Sequence, residues 1–399
     1  TVDWQTTPKT ATFTAVSGEG YFCNTSGGAF TCNLPAGSAG AIVSVADYTR
    51  TFQTNNLTVS PNGTEKLGGV NADAKLSTEG QSVTFVYVDA TEGWINVQDS
   101  TSAVQGRLVT PFIIATVSGA CNTLTTSGNC KIATFTGPGT FCVTNEGTGS
   151  NQVVSHMVIA GGGGGGHDDG GGGGAGGFRE NESPVTPYTQ SPLAGGTAVT
   201  ISSASAIPIT VGAGGVGGVP TVTCNATQGS SSIFSTITSA GGGLGGRGAP
   251  TGGPGGSGGG GGEAVPGGTG NTPPVSPAQG KNGGTGGGAN ASAGGGGAGA
   301  VGSNGISSPA GGGAGGAGVT TEINGSPVTR SGGGGGGGFN TPGAGGSGGG
   351  GSGGKYPSTQ ATAGTVNTGG GGGGGSTNTG PRDGKSGGSG IVIIRYKFQ

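Results

Sequence analysis

The sequence predicts an all-β protein, and three observations predict it. Thr, Ser, Val and Gly abound while strong helix formers are scarce, which favours extended backbone over helix. Short apolar strings alternate with polar residues through the first 160 positions, the period of a half-buried strand. The third is the placing of glycine: of 106 glycines, only 18 precede residue 161. From 161 to 390 nearly two residues in five lack a side chain, and they come in runs, among them Gly161–Gly166, Gly170–Gly174, Gly258–Gly262, Gly332–Gly338 and Gly369–Gly375.

Residues 1–105 read as a β-sandwich-like domain. Candidate strands lie at Ala11–Val16, Gly20–Cys23, Gly28–Leu34, Ile42–Val45, Leu57–Val59, Ser82–Asp89 and Gly93–Val97, separated by turn chemistry such as Pro61-Asn62-Gly63. Both tryptophans, Trp4 and Trp94, fall here and suit a core or a subunit contact better than a sugar-stacking platform. If Gly27-Gly28 closes a two-residue hairpin, Cys23 faces Cys32 on a non-hydrogen-bonded pair. The two are then either a cross-strand disulfide or two buried thiols. Cys121 and Cys130 repeat that spacing, and a disulfide between them is expected, in the next region, 106–160, whose strands are Phe112–Val117, Lys131–Thr136, Thr140–Val143 and Val153–Ala160. Cys142 and Cys224 complete an even six, which suits an oxidising, extracellular setting.

Residues 161–399 form the third region. A run of bare backbone has no apolar atoms to bury, so this half is either disordered or held by main-chain hydrogen bonds. Collagen is excluded because the glycines are consecutive. Embedded strands at Thr197–Ile201, Ile207–Val211 and Ser231–Thr238, and the closing Ile391–Phe398, argue against a floppy linker. The last is expected to pair with Val153–Ala160 and close the region at both ends. Polyglycine II, a left-handed threefold extended helix, then gives parallel and antiparallel rods with loops at both ends of a slab.

Charged residues are 8% of the chain, against the usual quarter, and the net charge is −2. That balance excludes a phosphate-binding surface and so a nucleic-acid partner. No apolar stretch reaches the ~18 residues of a membrane helix, so no membrane insertion is expected. A chain that opens on Thr1 reads as a processed product or a fragment. No enzyme is expected. The only histidines are His156 and His167, no nucleophile has an identifiable base, and His167-Asp168-Asp169 lacks the spaced partners of a metal site. No cofactor and no metal is therefore expected. If the rods are scaffold, recognition falls to the loops. Their sparse aromatic and basic side chains amid Ser, Thr, Asn and Gly have the composition of a paratope. The candidates are Phe178, Arg179, Tyr188, Lys281, Arg330, Phe339, Tyr356 and Arg382.

Several segments carry a family resemblance. Asp3–Thr7, Phe13–Tyr21, Leu34–Gly37 and Val86–Asp89 with Gly93-Trp94 resemble modules in tail fibres of marine bacteriophages. Phe135–Phe141, Met157–Gly161, Ile209–Gly215 and Gly388–Tyr396 resemble the glycine-rich domain of tail-fibre ends, and the whole is similar to the polyglycine II tail-tip adhesins of T-even-like phages. The resemblance implies a homotrimeric, extracellular virion tail fibre. Its partners would be a host cell-surface receptor, either an outer-membrane protein or a glycan, and other virion tail proteins. The cysteines depart from that pattern. The rival reading is a structural subunit of an extracellular filament or surface layer.

Overall fold

Alternating apolar positions in the front third build two sheets that meet face to face. The computed structural model describes residues 2–100, 112–220, 226–248, 250–377 and 382–399. It is all-β and divides into two compact units, Thr1–Leu108 and Val109–Gln399. The boundary expected at residue 105 and Cys224 lie outside the described residues.

In the first unit one sheet holds β1 (Asp3–Lys9), β3 (Glu19–Cys23), β5 (Ile42–Asp47), β8 (Ser82–Asp89) and β9 (Gly93–Ser100) in that order. The other holds β2 (Phe13–Thr14), β4 (Phe30–Asn33), β6 (Leu57–Ser60) and β7 (Ala74–Leu76). β1, β3 and β5 pair in parallel, as do β2, β4 and β6, so the chain crosses between sheets at each turn and coils like a short solenoid. This corrects the expected hairpin at Gly27-Gly28. Cys23 and Cys32 stand on opposite sheets, and Gly28, at φ 142°, helps carry the crossing, its N–H donating to the Thr25 carbonyl at 3.0 Å. The physical reason is burial: the arch lets Tyr21, Cys23, Phe30 and Cys32 all face one core with Val43, Val59, Phe85 and Trp94. A hairpin would have spent that apolar surface on a single sheet. The two cysteines are buried free thiols; burial raises both, Cys32 to about 12. Trp94 is wholly buried, with its indole N–H donating to Glu65 at 3.2 Å, whereas Trp4 is exposed.

In the second unit the strands from 113 onward are built into one body with the glycine runs. β11 (Thr123–Ser127), β12 (Cys130–Phe135), β24 (Ile391–Lys397), β14 (Val153–Ile159) and β15 (Phe178–Asn181) form one sheet, with β16 (Val199–Thr200) also on β14. β14 and β24 pair antiparallel, Ile159 opposite Ile391 and Met157 opposite Ile393, the closure expected from the sequence. A second sheet holds β10 (Ile113–Ser118), β13 (Gly139–Glu146), β17 (Ser205–Thr210), β18 (Ser232–Phe234) and β19 (Ile237–Ser239). Phe135, Phe141, Val158, Phe234, Val392 and Tyr396 fill the layer between the sheets. Met157, Ile159, Phe178, Val319, Ile323 and Ile393 form a further core on the other side of the β14–β24 pair. Cys121, exposed, Cys130, buried, and Cys142, half-buried, are free thiols, which corrects the expected Cys121–Cys130 disulfide: Cys130 pairs with Ser127 across the β11–β12 hairpin, and Cys121 lies outside it.

The glycine runs are ordered rods. β14 passes directly into the segment 160–166, whose hydrogen bonds repeat every third residue. The N–H groups of Gly161 and Gly164 donate to Ser230 and Thr227, those of Gly162 and Gly165 to Gly388 and Lys385, and those of Gly163 and Gly166 to Gly174 and Gly171. The carbonyls of Gly161 and Gly164 accept from Gly242 and Gly245, those of Gly162 and Gly165 from Gly215 and Gly218, and those of Gly163 and Gly166 from Gly372 and Gly375. One rod thus bonds six neighbours, three antiparallel through its donors and three parallel through its acceptors. This is polyglycine II, a threefold helix with every bond made between rods. The rod 170–177 keeps the threefold repeat with other directions, Gly171 and Gly174 donating to Gly246 and Gly243 on an antiparallel rod, and Gly172 and Ala175 to Ala293 and Gly296 on a parallel one.

Spacing so close admits no side chain at most central positions, buried Ala175 being an exception. A Cβ on Gly164 would lie 2.0 Å from the Val216 carbonyl oxygen, and one on Gly163 2.1 Å from that of Gly243. Gly137 is a control, where the nearest atom would be 3.8 Å away. Gly164→Ala is expected to destabilise the second unit by about 1–3 kcal/mol or more, the cost of forcing atoms into a packed interior, while Gly137→Ala leaves its melting temperature nearly unchanged. Amide exchange gives the second readout: the N–H groups of Gly162–Gly166 exchange slowly in the wild type and fast in Gly164→Ala.

Candidate recognition surface

Rod direction sorts the loops into two groups. Gly170 donates to Gly375, Gly375 to Gly166, Gly337 to Gly170, and Gly338 and Gly354 to Gly354 and Gly374. These residues stand at one level, the end away from the sheets, so the turns that follow them share a tip. The opposite ends meet the sheets, where Ala160 donates to Gly177, Gly177 to Ala240 and Ala298 to Ser331.

Five of the eight expected recognition residues lie at the sheet end, and two of those are buried. Phe178 is 1% exposed on β15, packed in the core with Met157 and Ile391. Arg330 is 7% exposed at the end of β23 (Val328–Arg330), which pairs with β22 (Val319–Thr321), and burial lowers its pKa. Both are corrections: a receptor cannot reach them. The reason is that this group of loops covers the apolar face of the β14–β24 pair instead of projecting from it. Its anchor is Glu180, a buried residue that sequence reasoning missed. Glu180 accepts from the Tyr188 hydroxyl at 3.1 Å, the Ser191 N–H at 3.1 Å and the Thr321 hydroxyl. Tyr188 is thereby tied down, its pKa raised by burial and by Glu180, with the Arg395 guanidinium over its ring at 5.7 Å. Arg179 is half-buried, its pKa lowered by that burial. Lys281 is half-buried, and its N–H and carbonyl serve the rods, bonding Gly297 and Gly258. Burial alternates along β15, Phe178 and Glu180 buried and Arg179 and Asn181 half-buried, but three of its four residues are polar, so no apolar alternation in the sequence marks the strand.

The other three, Phe339, Tyr356 and Arg382, come together at the tip. Phe339 and Tyr356 stack with ring centroids 4.7 Å apart and planes within 9°. Phe339 is 39% exposed. Short bridges link Ala291 to Gly338 and Gly338 to Lys355, which fixes these turns side by side. Exposed Ile306 stands on an adjoining hairpin of β20 (Ile306–Ser307) and β21 (Ala310–Gly311), joined to the Phe339 loop by Asn340 N–H donating to Ala310. Beside them the turn His167-Asp168-Asp169 reverses the chain between the two central rods, with Asp168 and Asp169 in left-handed conformations at φ 47° and 52°. Arg382 grips Asp168 through two hydrogen bonds, Nη2 to Oδ2 at 2.8 Å and Nε to Oδ1. His167 Nδ1 lies 3.0 Å from Asp168 Oδ2. The Arg382 bonds hold the Asp168 carboxyl below its ordinary range.

The profile of a glycine-rich domain matches residues 136–397. The chain belongs to the glycine-rich domain family. No curated protein matches the sequence. The glycine-rich domain therefore includes most of the second unit, from the turn before β13 to the end of β24, and both loop groups lie within it.

One carboxyl at the tip of the glycine-rich domain is poised differently from its neighbour. Burial, then the nearby Glu263, raises Asp169 from its ordinary 3.8 to about 7. The folded protein therefore holds a proton that the unfolded chain releases, so this group's contribution to stability is full below about pH 4 and declines as pH rises to about 7. The lowered Asp168 carboxyl works in the opposite sense, losing its contribution as pH falls below its ordinary 3.8. The two windows are separate. Melting temperature measured from pH 4 to 8 is expected to fall less steeply in Asp169→Asn than in the wild type, and the variant to be the more stable at pH 8.

Proposed function

We propose that this protein is a non-enzymatic adhesin of the phage tail-fibre kind, attaching a virion to the host cell surface through the tip loops of its glycine-rich domain. The observation that carries the reading is the stacked pair of exposed Phe339 and half-buried Tyr356, held on turns that interlocked rods fix in place. Rigid aromatics bind with little ordering cost, and small polar neighbours such as Asn340, Thr341, Ser358 and Thr359 supply adaptable hydrogen bonds. The partner is a host receptor, an outer-membrane protein or a glycan. The protein is a homotrimer in the extracellular tail fibre, joined there to other tail proteins. Weak contacts at each tip become effective by multivalency.

Binding of the labelled full chain to a panel of bacterial isolates tests this. The double variant Phe339→Ala, Tyr356→Ala is expected to bind its host on the order of tenfold less, the loss typical of an aromatic anchor, with an unchanged melting temperature. Undiminished binding would overturn the assignment to the tip.

A further inference from the structure

The chain contains the Asn-Gly pairs Asn62-Gly63, Asn282-Gly283, Asn304-Gly305 and Asn324-Gly325. Each carries the same latent chemistry: the glycine nitrogen can attack the side-chain amide carbon of the asparagine before it, and glycine has no Cβ to screen that approach. The attack needs a main-chain nitrogen free of hydrogen bonds. The structure denies this to three of the pairs. The Gly283 N–H donates to Gly268 and the Gly305 N–H to Thr285, both at 3.0 Å. Their asparagine side chains are engaged as well, Asn282 Oδ1 accepting from the Gly270 N–H and Asn304 Oδ1 from the Thr285 N–H, each at 2.8 Å. A Cβ on Gly283 or Gly305 would lie 2.0 Å from the carbonyl oxygen of Gly259 or Ala291, so there is little room for a ring to form. The Gly325 N–H donates to Glu322 at 2.8 Å.

Asn62-Gly63 differs from these. It lies in the first unit, between β6 and β7, with Asn62, Gly63 and Thr64 all exposed. Among the described residues no group accepts from the Gly63 N–H and none engages the Asn62 side chain. A Cβ on Gly63 would meet no atom within 4 Å. We infer that Asn62 is a site of spontaneous covalent modification, hydrolysed by water through attack of the Gly63 nitrogen. That nitrogen gives its proton to solvent and bonds to Asn62 Cγ. The bond from Cγ to Nδ2 breaks and ammonia leaves, closing a succinimide ring. Water then opens the ring: attack at Cγ leaves aspartate, and attack at the backbone carbonyl carbon leaves isoaspartate, with the main chain running through Cβ. Nothing is oxidised or reduced. The consequence reaches the core. The Asn62 carbonyl accepts from the Glu65 N–H at 3.0 Å, and the Glu65 carboxylate accepts from the Gly37 N–H at 2.8 Å and the Trp94 indole at 3.2 Å. Isoaspartate lengthens the main chain inside this turn and adds a negative charge to it, so the reaction loosens the grip of Glu65 on buried Trp94. The main-chain bonding that fixes the rods also shields Asn282 and Asn304, and the Asn62 turn has no such bond on its nucleophile.

Peptide mapping by mass spectrometry tests it on the full chain, incubated at pH 8 both folded and in denaturant. In the folded chain aspartate and isoaspartate are expected to accumulate at Asn62 on the order of tenfold or more faster than at Asn282, Asn304 or Asn324, where a bonded N–H must first open. In denaturant that preference is expected to vanish, since every pair is then equally free. Fluorescence reads the consequence. In Trp4→Phe, where Trp94 alone emits, ageing is expected to shift the emission to the red. Adding Asn62→Gln, whose longer side chain closes a ring far more slowly, is expected to abolish that shift. Conversion at Asn62 no faster than at the other three in the folded chain overturns the inference. The same preference surviving in denaturant overturns it too, since neighbouring sequence and not the fold would then set the rate. Unshifted emission from converted chains overturns the link through Glu65 to the core.

Discussion

Everything in the second unit depends on the threefold repeat of main-chain hydrogen bonds around the rods 160–166 and 170–177. A rod of this kind makes no bonds within itself. Each peptide must find its partners on neighbouring rods, and the neighbours must stand close enough that a single methyl group collides with a carbonyl oxygen. Glycine is therefore the sequence expression of a distance between chains. The runs of bare glycine look like spacer only when the chain is read one residue at a time.

Magnitudes show why the rods cannot stand alone. A hydrogen bond inside a protein contributes about 0.5–1.5 kcal/mol net, while fixing one backbone residue costs about 1–2 kcal/mol, and more for glycine than for other residues. A slab of glycine thus comes out near zero or below it on hydrogen bonds alone. The difference is supplied at one end, where β14 leads into the first rod and β24 leaves the last. The apolar layers on both faces of that pair, built on Phe135, Phe141, Val158 and Tyr396 on one side and Met157, Phe178 and Ile393 on the other, lock the register of both. Hydrophobic burial at the root and backbone bonding along the length are two halves of one stabilising scheme.

Much of this was legible in the sequence. Consecutive glycines, flanking strands and the apolar closing segment together imply threefold rods shut between Val153–Ala160 and Ile391–Phe398, because only that arrangement satisfies the backbone and hides the last strand. The front unit was legible as strands but not as topology. Alternation at Tyr21, Cys23, Phe30 and Cys32 is the same whether the strands pair as a hairpin or face each other across an arch, and Gly-Gly serves either turn. The loops were misread where a core lay out of sight. Phe178 and Arg330 stand beside glycine and polar residues in sequence, yet both are buried, Phe178 against the face built by β14 and β24. The pairing of Asp168 with Arg382 spans 214 positions, and nothing local announces it.

The scheme also separates what may vary from what may not. At the glycine positions inside a rod an added Cβ strikes backbone on a neighbouring rod, so those positions tolerate almost no change. At the tip a turn such as Phe339–Pro342 or Lys355–Thr359 needs only to return the chain to the next rod, and its side chains contribute little to the lattice. The sheet-end loops are intermediate, since Phe178, Glu180 and Arg330 close over an apolar face and are constrained by it. A surface free to change, carried on a frame that cannot, is the division of labour a recognition protein requires. Here it arises because the frame is held by main chain, which is indifferent to the identity of the side chains displayed beyond its ends.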